Sequence, residues 1–390
     1  MKKVATERLF EKDSYISRFS ANVISCEAVE DGFEVVLDKT AFFAEGGGQS
    51  ADGGTIDGIK VLDVQHRGDV IIHKTEQAVE LGKTVECELD WEERFTRMQS
   101  HTGEHILSGV VHSSFGYNNI GFHMSDNGVM TVDFDGQLTK GDIEKIERLS
   151  NEAVYKNVSV TVSFPNAEEL KDLDYRSKLE LIDNVRIITI DGVDKCACCA
   201  PHVNRTGEIG AIKVISFMPY KKGTRLEMLA GKRAFADYVL LNDANKELMK
   251  ALSAPRGEVV SAVNNLFEQL NALRQEKAEI SKKLAVYEIN EAKVEVGNSV
   301  YAITEGLSFD DLRASSNILT NEYEVCLLLS KNGNDYNYVL SSKSDVKELC
   351  QRLNSEFSGK GGGKGGYAQG KITPVSIDEV IAFLKELLQA

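Results

Sequence analysis

The stretch that most constrains this chain is His101-Thr-Gly-Glu-His105, which lies within a run reading LDWEERFTRMQSHTGEHILSGVV. Phe95, Met98, Thr102, Ile106 and Val110 recur there at helical spacing. Asp90 followed by Glu93 has the form of a capping box, with Asp in the place usual for Ser or Thr. Residues four apart on a helix sit one turn above each other, so His101 and His105 can both reach one ion. A histidine pair alone is often accidental, but a second cluster supports it. Residues 194–202 read DKCACCAPH, with Cys198 and His202 again four apart and Cys196 and Cys199 beside them. Thiolate and imidazole are the preferred zinc donors, and His101, His105, Cys198 and His202 make a complete tetrahedral set. Small buried hydrophobes are the competing reading of the cysteines. Clustered with a histidine in a reducing compartment, they point to metal rather than disulfides, and Zn2+ is the expected cofactor.

The rest of the composition sets the frame. A chain of 390 residues with 42% hydrophobic content should form two or three domains with real cores. The opening MKKVATERLFEKDS has no apolar stretch after its lysines, unlike a signal peptide. No apolar run approaches the ~20 residues that span a bilayer. A cytoplasmic chain with no membrane partner is therefore expected. The net charge of −15 argues against nucleic acid for the chain as a whole, although a local basic patch can override it.

In chain order the expected fold class is α+β in four parts: 1–90, 91–240, 241–295 and 296–390. Between residues 20 and 90, alternating segments punctuated by Asp31-Gly32, Asp57-Gly58 and Gly68-Asp69 predict short strands and a small barrel. Within it Gly46, Gly47 and Gly48 precede Gln49, a loop whose backbone can approach a ligand closely or simply turn. From 91 to 240 the pattern mixes helix and strand, as in an α/β sandwich carrying ligand loops at strand ends. Residues 241–295 form a helical linker. Val263, Leu266, Leu270, Leu273, Ile280, Leu284 and Tyr287 trace a heptad seam over 259–287, which predicts a homodimeric coiled coil or a helical hairpin.

The last part, 296–390, reads as a separate α/β unit. It contains GKGGGKGGYAQGK, expected to be too rich in glycine for regular structure. Gly365 to Lys371 matches the first part of a P-loop, but Ile372 stands where a magnesium-binding hydroxyl is needed, which excludes nucleotide hydrolysis. Lys360, Lys364 and Lys371 in such a loop suit contacts to phosphates.

Taken in order, GGGQ, HxxxH, CxxxH-Val with TGEIG, and GGGKGGYAQGK resemble the editing domain of alanyl-tRNA synthetase. They resemble still more its free-standing relatives, the long AlaX-type alanyl-tRNA editing proteins. The resemblance covers nearly the whole chain and implies His101, His105, Cys198 and His202 as zinc ligands. It also implies Gly46 to Gln49 as a loop facing the substrate, and Thr40 as a polar residue facing the aminoacyl group. The family has two glycines after the cysteine, where this chain has Cys199 and Ala200, and Cys196 and Cys199 are extra thiols. The reaction implied is hydrolysis of the ester between tRNA(Ala) and serine or glycine, with Thr40 and Gln49 reading the hydroxyl that alanine lacks. Lys360, Lys364 and Lys371 would hold the tRNA. No aminoacylation domain precedes these blocks, so charging of tRNA is not expected. Two other enzymatic readings stand beside this one. Editing of Ser-tRNA(Thr) fits Ala-Pro-His-Val. An inverted zinc-peptidase motif, H-x-x-E-H, would make Glu104 the base and a distant Glu180 a ligand. A non-catalytic tRNA-binding role is the remaining class.

Overall fold

Period-two alternation between residues 18 and 89 gives six strands: β1 (Arg18–Val29), β2 (Gly32–Leu37), β3 (Gly54–Ile56), β4 (Ile59–Arg67), β5 (Val70–Thr75) and β6 (Thr84–Leu89). In the computed structural model, which describes residues 5–125, 127–177, 185–374 and 376–389, they close into an antiparallel barrel in the order β1-β2-β5-β4-β3-β6. Inward positions such as Val23, Val35, Leu37, Ile56, Val64, Ile71 and Val85 fill it, together with the fully buried run Ala41-Phe42-Phe43-Ala44. That run leads straight into the Gly46–Gln49 loop. The loop is a tight turn in which Gly46 and Gln49 exchange backbone hydrogen bonds of 3.1 Å each way.

Helix α1 (Trp91–Phe115) follows directly. Asp90 caps it by accepting from the Glu93 N–H at 3.2 Å, and Gly116 ends it in the left-handed conformation with φ 72°. The reciprocal half of the expected capping box is missing, because Glu93 turns its carboxylate to Arg97 and Arg233 instead. Nearly every residue of α1 from Met98 to Val111 is buried. The helix lies among β7 (Asn119–Met124), β8 (Met130–Phe134), α2 (Lys140–Lys156), β9 (Val160–Ser163), β10 (Ile187–Ile190), β11 (Asp194–Ala197), β12 (Ile212–Tyr220) and β13 (Gly223–Ala230). The strands form one sheet ordered β12-β13-β8-β7 and another ordered β9-β10-β11. Met98, Ile106, Leu107 and Val111 of α1 share a core with Val132, Phe134, Ile188, Leu226 and Met228 of these sheets.

Arg94 fastens α1 to the barrel. Its side chain is fully buried, its Nε donates to Asp52 Oδ2 at 2.8 Å, and Nη1 and Nη2 donate to the carbonyls of Ser14 and Ala41. Asp52 in turn accepts from the Phe43 N–H at 2.7 Å, so one ion pair ties the metal-motif helix to both flanks of the glycine loop.

The chain divides into two units, residues 1–247 and 248–390, with the division falling inside α3 (Lys232–Leu252). In the second unit α4 (Val259–Ala292) precedes β14 (Lys293–Val296), β15 (Ser299–Glu305), α5 (Phe309–Leu319), β16 (Val325–Asn332), β17 (Asp335–Ser342), α6 (Lys347–Glu356), β18 (Lys360–Lys364), β19 (Tyr367–Ile372) and α7 (Ile377–Gln389). The sheet order is β14-β15-β16-β17-β19-β18, and only β15 and β16 run parallel. Ala285 and Ile289 at the end of α4 are buried against this sheet's core, whereas Leu266, Leu270, Leu273, Ile280, Leu284 and Tyr287 remain exposed.

The glycine-rich stretch corrects an expectation. It is a hairpin of two strands, β18 and β19, turned at Gly365-Gly366, and not an irregular loop. Its glycines answer to crowding: a Cβ on Gly361 would come within 2.3 Å of the Tyr338 hydroxyl and 2.6 Å of the Gln369 carbonyl. Such a close approach of ring and backbone admits no side chain. No helix among the described residues is long and apolar enough to cross a membrane.

Candidate metal centre and substrate cleft

His101 and His105 project from α1, and Cys198 and His202 from the segment that follows β11. The four meet: their donor atoms all lie within 4.8 Å of one another. The three imidazole centroids are 4.7 to 5.4 Å apart. Cys198 Sγ is 3.5 Å from both His101 Nε2 and His202 Nε2. Donors held ~2.0–2.3 Å from a tetrahedral ion lie roughly 3.3–3.8 Å from one another, a window that the two separations from Cys198 fall in.

The outer nitrogens explain why the inner ones converge. His101 Nδ1 bonds Gln49 Oε1 at 2.8 Å, and His105 Nδ1 bonds Asp194 Oδ2 at 3.1 Å. His202 Nδ1 bonds Thr102 Oγ1 at 3.0 Å; that hydroxyl already donates to the Met98 carbonyl and must accept here. With each Nδ1–H spent on an acceptor, each Nε2 presents its lone pair to the same point.

Asp194 is itself gripped by Arg176, whose Nε and Nη2 donate to its two oxygens at 2.7 and 2.8 Å. A Cβ on Gly109 of α1 would stand 2.6 Å from the Val193 carbonyl and 2.8 Å from Asp194 Cβ. The helix can therefore close on β11 only because that position is bare.

Charge follows the geometry. Burial would push the Cys198 thiol up, but the facing imidazoles of His101, His105 and His202 outweigh it and hold the group well below the thiol range. Burial drives His202 down to about 3, so it stays neutral. Burial also works against charge on His105, yet the Asp194 carboxylate and the Cys198 thiolate outweigh it and raise its pKa; a metal ion bound there would have to displace that proton. Of the neighbouring thiols, burial raises that of Cys196, which remains protonated, and Cys199 is exposed. Of the three clustered cysteines, Cys198 is the one that joins all three histidines. Cys196 falls into a separate group with His105 and Asp194.

A cleft of about 1200 Å³ opens beside the cluster, lined among others by Gly47, His101, Glu104, His105, Phe122 and Arg176. Gln49 sits behind His101 and is not part of that lining: it is 1% exposed, and its Nε2 is a buried donor with no partner among the described residues. Thr40 is not brought to this cleft. It is fully buried in the barrel, where its hydroxyl donates to His73 Nε2 at 2.9 Å and accepts from the Phe42 N–H at 3.1 Å. Lys360, Lys364 and Lys371 belong to the second unit and are exposed on the β18–β19 hairpin. Glu180 lies outside the described residues.

Sequence reasoning missed several supports of the site. Arg186, nearly buried, clamps the ligand loop by donating Nη1 to the carbonyls of Cys198 and Ala200 at 2.9 and 2.8 Å. Ala200, where the expected pattern has glycine, is fully buried in the barrel core. Asp194, four residues before Cys198, carried a signal in its position on the ligand strand. Arg176, Arg186 and Thr102 carried none.

Three family models match successive parts of the chain: tRNA synthetases class II (A) over residues 9–93, the threonyl and alanyl tRNA synthetase second additional domain over 185–227, and the DHHA1 domain over 296–390. Together they define an editing-type unit followed by a DHHA1 unit. The chain is 30% identical to the alanyl-tRNA editing protein Aarsd1 of Danio rerio, with 96% of each chain covered. It is 31% identical to the alanyl-tRNA editing protein AlaX-L of Pyrococcus horikoshii, with 94% of each covered. It also matches the alanine–tRNA ligase of Methanococcus vannielii at 30% identity, over 94% of this chain but only 42% of that one. The chain thus spans about two fifths of the ligase and nearly all of the free-standing proteins. It belongs to the family of alanyl-tRNA editing proteins.

Proposed function

We propose that this chain is a trans-editing hydrolase that deacylates misacylated tRNA(Ala), Ser-tRNA(Ala) first and Gly-tRNA(Ala) second, in the cytoplasm and with zinc at His101, His105, Cys198 and His202. The observation that carries the reading is the tethering of all three Nδ1 atoms, which turns three Nε2 lone pairs and one thiolate onto one point beside a cleft. Bound zinc would supply a fixed positive charge that orients the aminoacyl end; four protein donors make a closed set, which suits a positioning role.

This chain's own groups do the rest. Gly47 and Gly48, whose N–H groups donate no hydrogen bond among the described residues, receive the ester carbonyl oxygen as it gains charge. Water attacks the acyl carbon, the bond to the ribose oxygen breaks, and that oxygen takes up a proton. Gln49 Nε2, the orphaned donor next to His101, reads the seryl hydroxyl; Thr40, behind the loop, fixes where the Ala41–Ala44 run enters it. Alanine leaves that donor unpaired, and such a mismatch is what lets a site spare the cognate acyl group. Family membership sets the peptidase reading aside, and the Glu104 side chain is bound to Ser108 and Asn119.

In the second unit, Lys360 stands directly opposite Lys371 across the hairpin, and Lys364 lies four residues along the same strand. By the strand's period of two these lysines share a face with Tyr367 and Gln369. Arg313 joins them, stacking over Tyr367 at 5.3 Å and donating to its hydroxyl and to Gln369. Like charges set opposite each other with an aromatic beside them suit the tRNA backbone. The exposed 259–287 stripe is proposed to pair with that of a second copy; sedimentation equilibrium of the full chain against Leu270→Asp tests this, and an unchanged mass ends it.

The deciding experiment follows seryl-, glycyl- and alanyl-tRNA(Ala), and seryl-tRNA(Thr), with wild type and Cys198→Ala. Seryl-tRNA(Ala) should disappear at least roughly a hundredfold faster than alanyl-tRNA(Ala). Cys198→Ala should lose both zinc and deacylation. Survival of every misacylated tRNA(Ala) refutes the activity, and full activity without bound zinc refutes the metal role.

A further inference from the structure

Glu104 brings a negative charge to the cleft that the metal cluster does not use. It sits between the two ligand histidines on α1, lines the cleft with them, and is only 3% exposed. Its Oε1 accepts from the Ser108 hydroxyl and from Asn119 Nδ2 at 2.6 Å, both neutral donors. Its Oε2 takes no hydrogen bond among the described residues, yet it is not one of their fully buried polar atoms. Among the described residues no cationic side chain forms an ion pair with it. Arg176, in the same cleft, acts on Glu104 through its charge without contact, because it spends Nε and Nη2 on Asp194, and Glu11 is paired with Arg8. A carboxylate held by neutral donors and nearly removed from water costs free energy unless a cation completes its surroundings.

The substrate class under the proposed function carries such a cation. An aminoacyl ester has an α-ammonium one carbon from the carbonyl that is hydrolysed. We propose that Glu104 Oε2 receives this ammonium, so that the cleft selects esters of free α-amino acids and turns away acyl groups whose nitrogen is blocked or absent. Ser108 and Asn119 hold the other oxygen and fix the direction of the free one. This rests on the reading of the cleft as an aminoacyl-ester site. It adds a second selection: the hydroxyl readout separates serine from alanine, whereas Glu104 separates aminoacyl-tRNA from N-acylated or peptidyl-tRNA.

The test uses the full chain and three esters: seryl-tRNA(Ala), its nitrous-acid product glyceryl-tRNA(Ala), in which a hydroxyl replaces the ammonium, and N-acetylseryl-tRNA(Ala). Each rate is divided by the spontaneous rate of that ester. Wild type should favour the seryl ester over the other two by roughly ten- to a hundredfold. Glu104→Gln keeps acceptors for Ser108 and Asn119 but loses the charge. It should narrow the preference to within about threefold by raising KM for the seryl ester alone, with zinc content unchanged. Glu104→Asp, which keeps the charge at a shorter reach, should recover part of the preference. Wild type that treats the three esters alike overturns the proposal, as does a Glu104→Gln variant that keeps the full preference or slows all three equally. Wild type inactive on all three refutes the aminoacyl-ester reading itself.

Discussion

His73 and Thr40 show how much of a site-like pattern is internal bracing. The imidazole is fully buried, its Nδ1–H donates to the Val35 carbonyl, and its Nε2 accepts from Thr40. Burial lowers its pKa from 6.5 to about 4. Between those values the unfolded chain takes up a proton that the folded one refuses, so stability falls as pH drops from above 6.5 to about 4 and changes no further below that. The loss should reach about 3 kcal/mol. Urea unfolding followed through Trp91, the single tryptophan, should show wild type losing that much more than His73→Phe between pH 7 and pH 4; parallel curves would contradict it. Asp194→Asn makes a second case. It leaves a neutral partner for His105 and frees Arg176, and should weaken zinc affinity roughly ten- to a hundredfold in a competitive chelator titration. Unaltered affinity would mean that the His105 ring is oriented by its packing alone.

Helix α1 was the most legible element, because its apolar spacing, its N-terminal Asp90 and its histidine pair agree with one another. The strands of 18–89 were legible for a similar reason, since alternation and turn residues coincide there. The β18–β19 hairpin was not. A run of glycines carries no alternation, and the crowding by Tyr338 that calls for them is a tertiary fact. The convergence of His101, His105, Cys198 and His202 could be read because chemistry limits which residues would share an ion; Arg94, Arg176 and Arg186 could not, because a buried arginine looks like any surface arginine until its partners are known. Gly109 also belongs to this scale. In an isolated helix alanine in its place should help by roughly 1 kcal/mol, but here its methyl group meets Val193 and Asp194. Overpacking costs about 1–3 kcal/mol, and Gly109→Ala should lower both thermal stability and zinc affinity. A variant that is more stable and binds zinc normally would show that the strand can yield.

Across the whole chain, a centre rich in thiolate and imidazole occupies one unit and a lysine-bearing hairpin the other, although the net charge is −15. Replacing Lys360, Lys364 and Lys371 by alanine should reduce the slope of log affinity for tRNA against log salt by about 2–3, one counterion per lost contact. It should also leave the deacylation of a short minihelix at saturation nearly intact. An unchanged slope would place the tRNA contact elsewhere. The facing pair Lys360 and Lys371 has one more consequence. Like charges set directly opposite each other on neighbouring strands are disfavoured, so this hairpin should gain when something anionic lies between the two lysines. The second unit should therefore melt at a higher temperature in the presence of polyphosphate, and the gain should vanish once either lysine is made neutral.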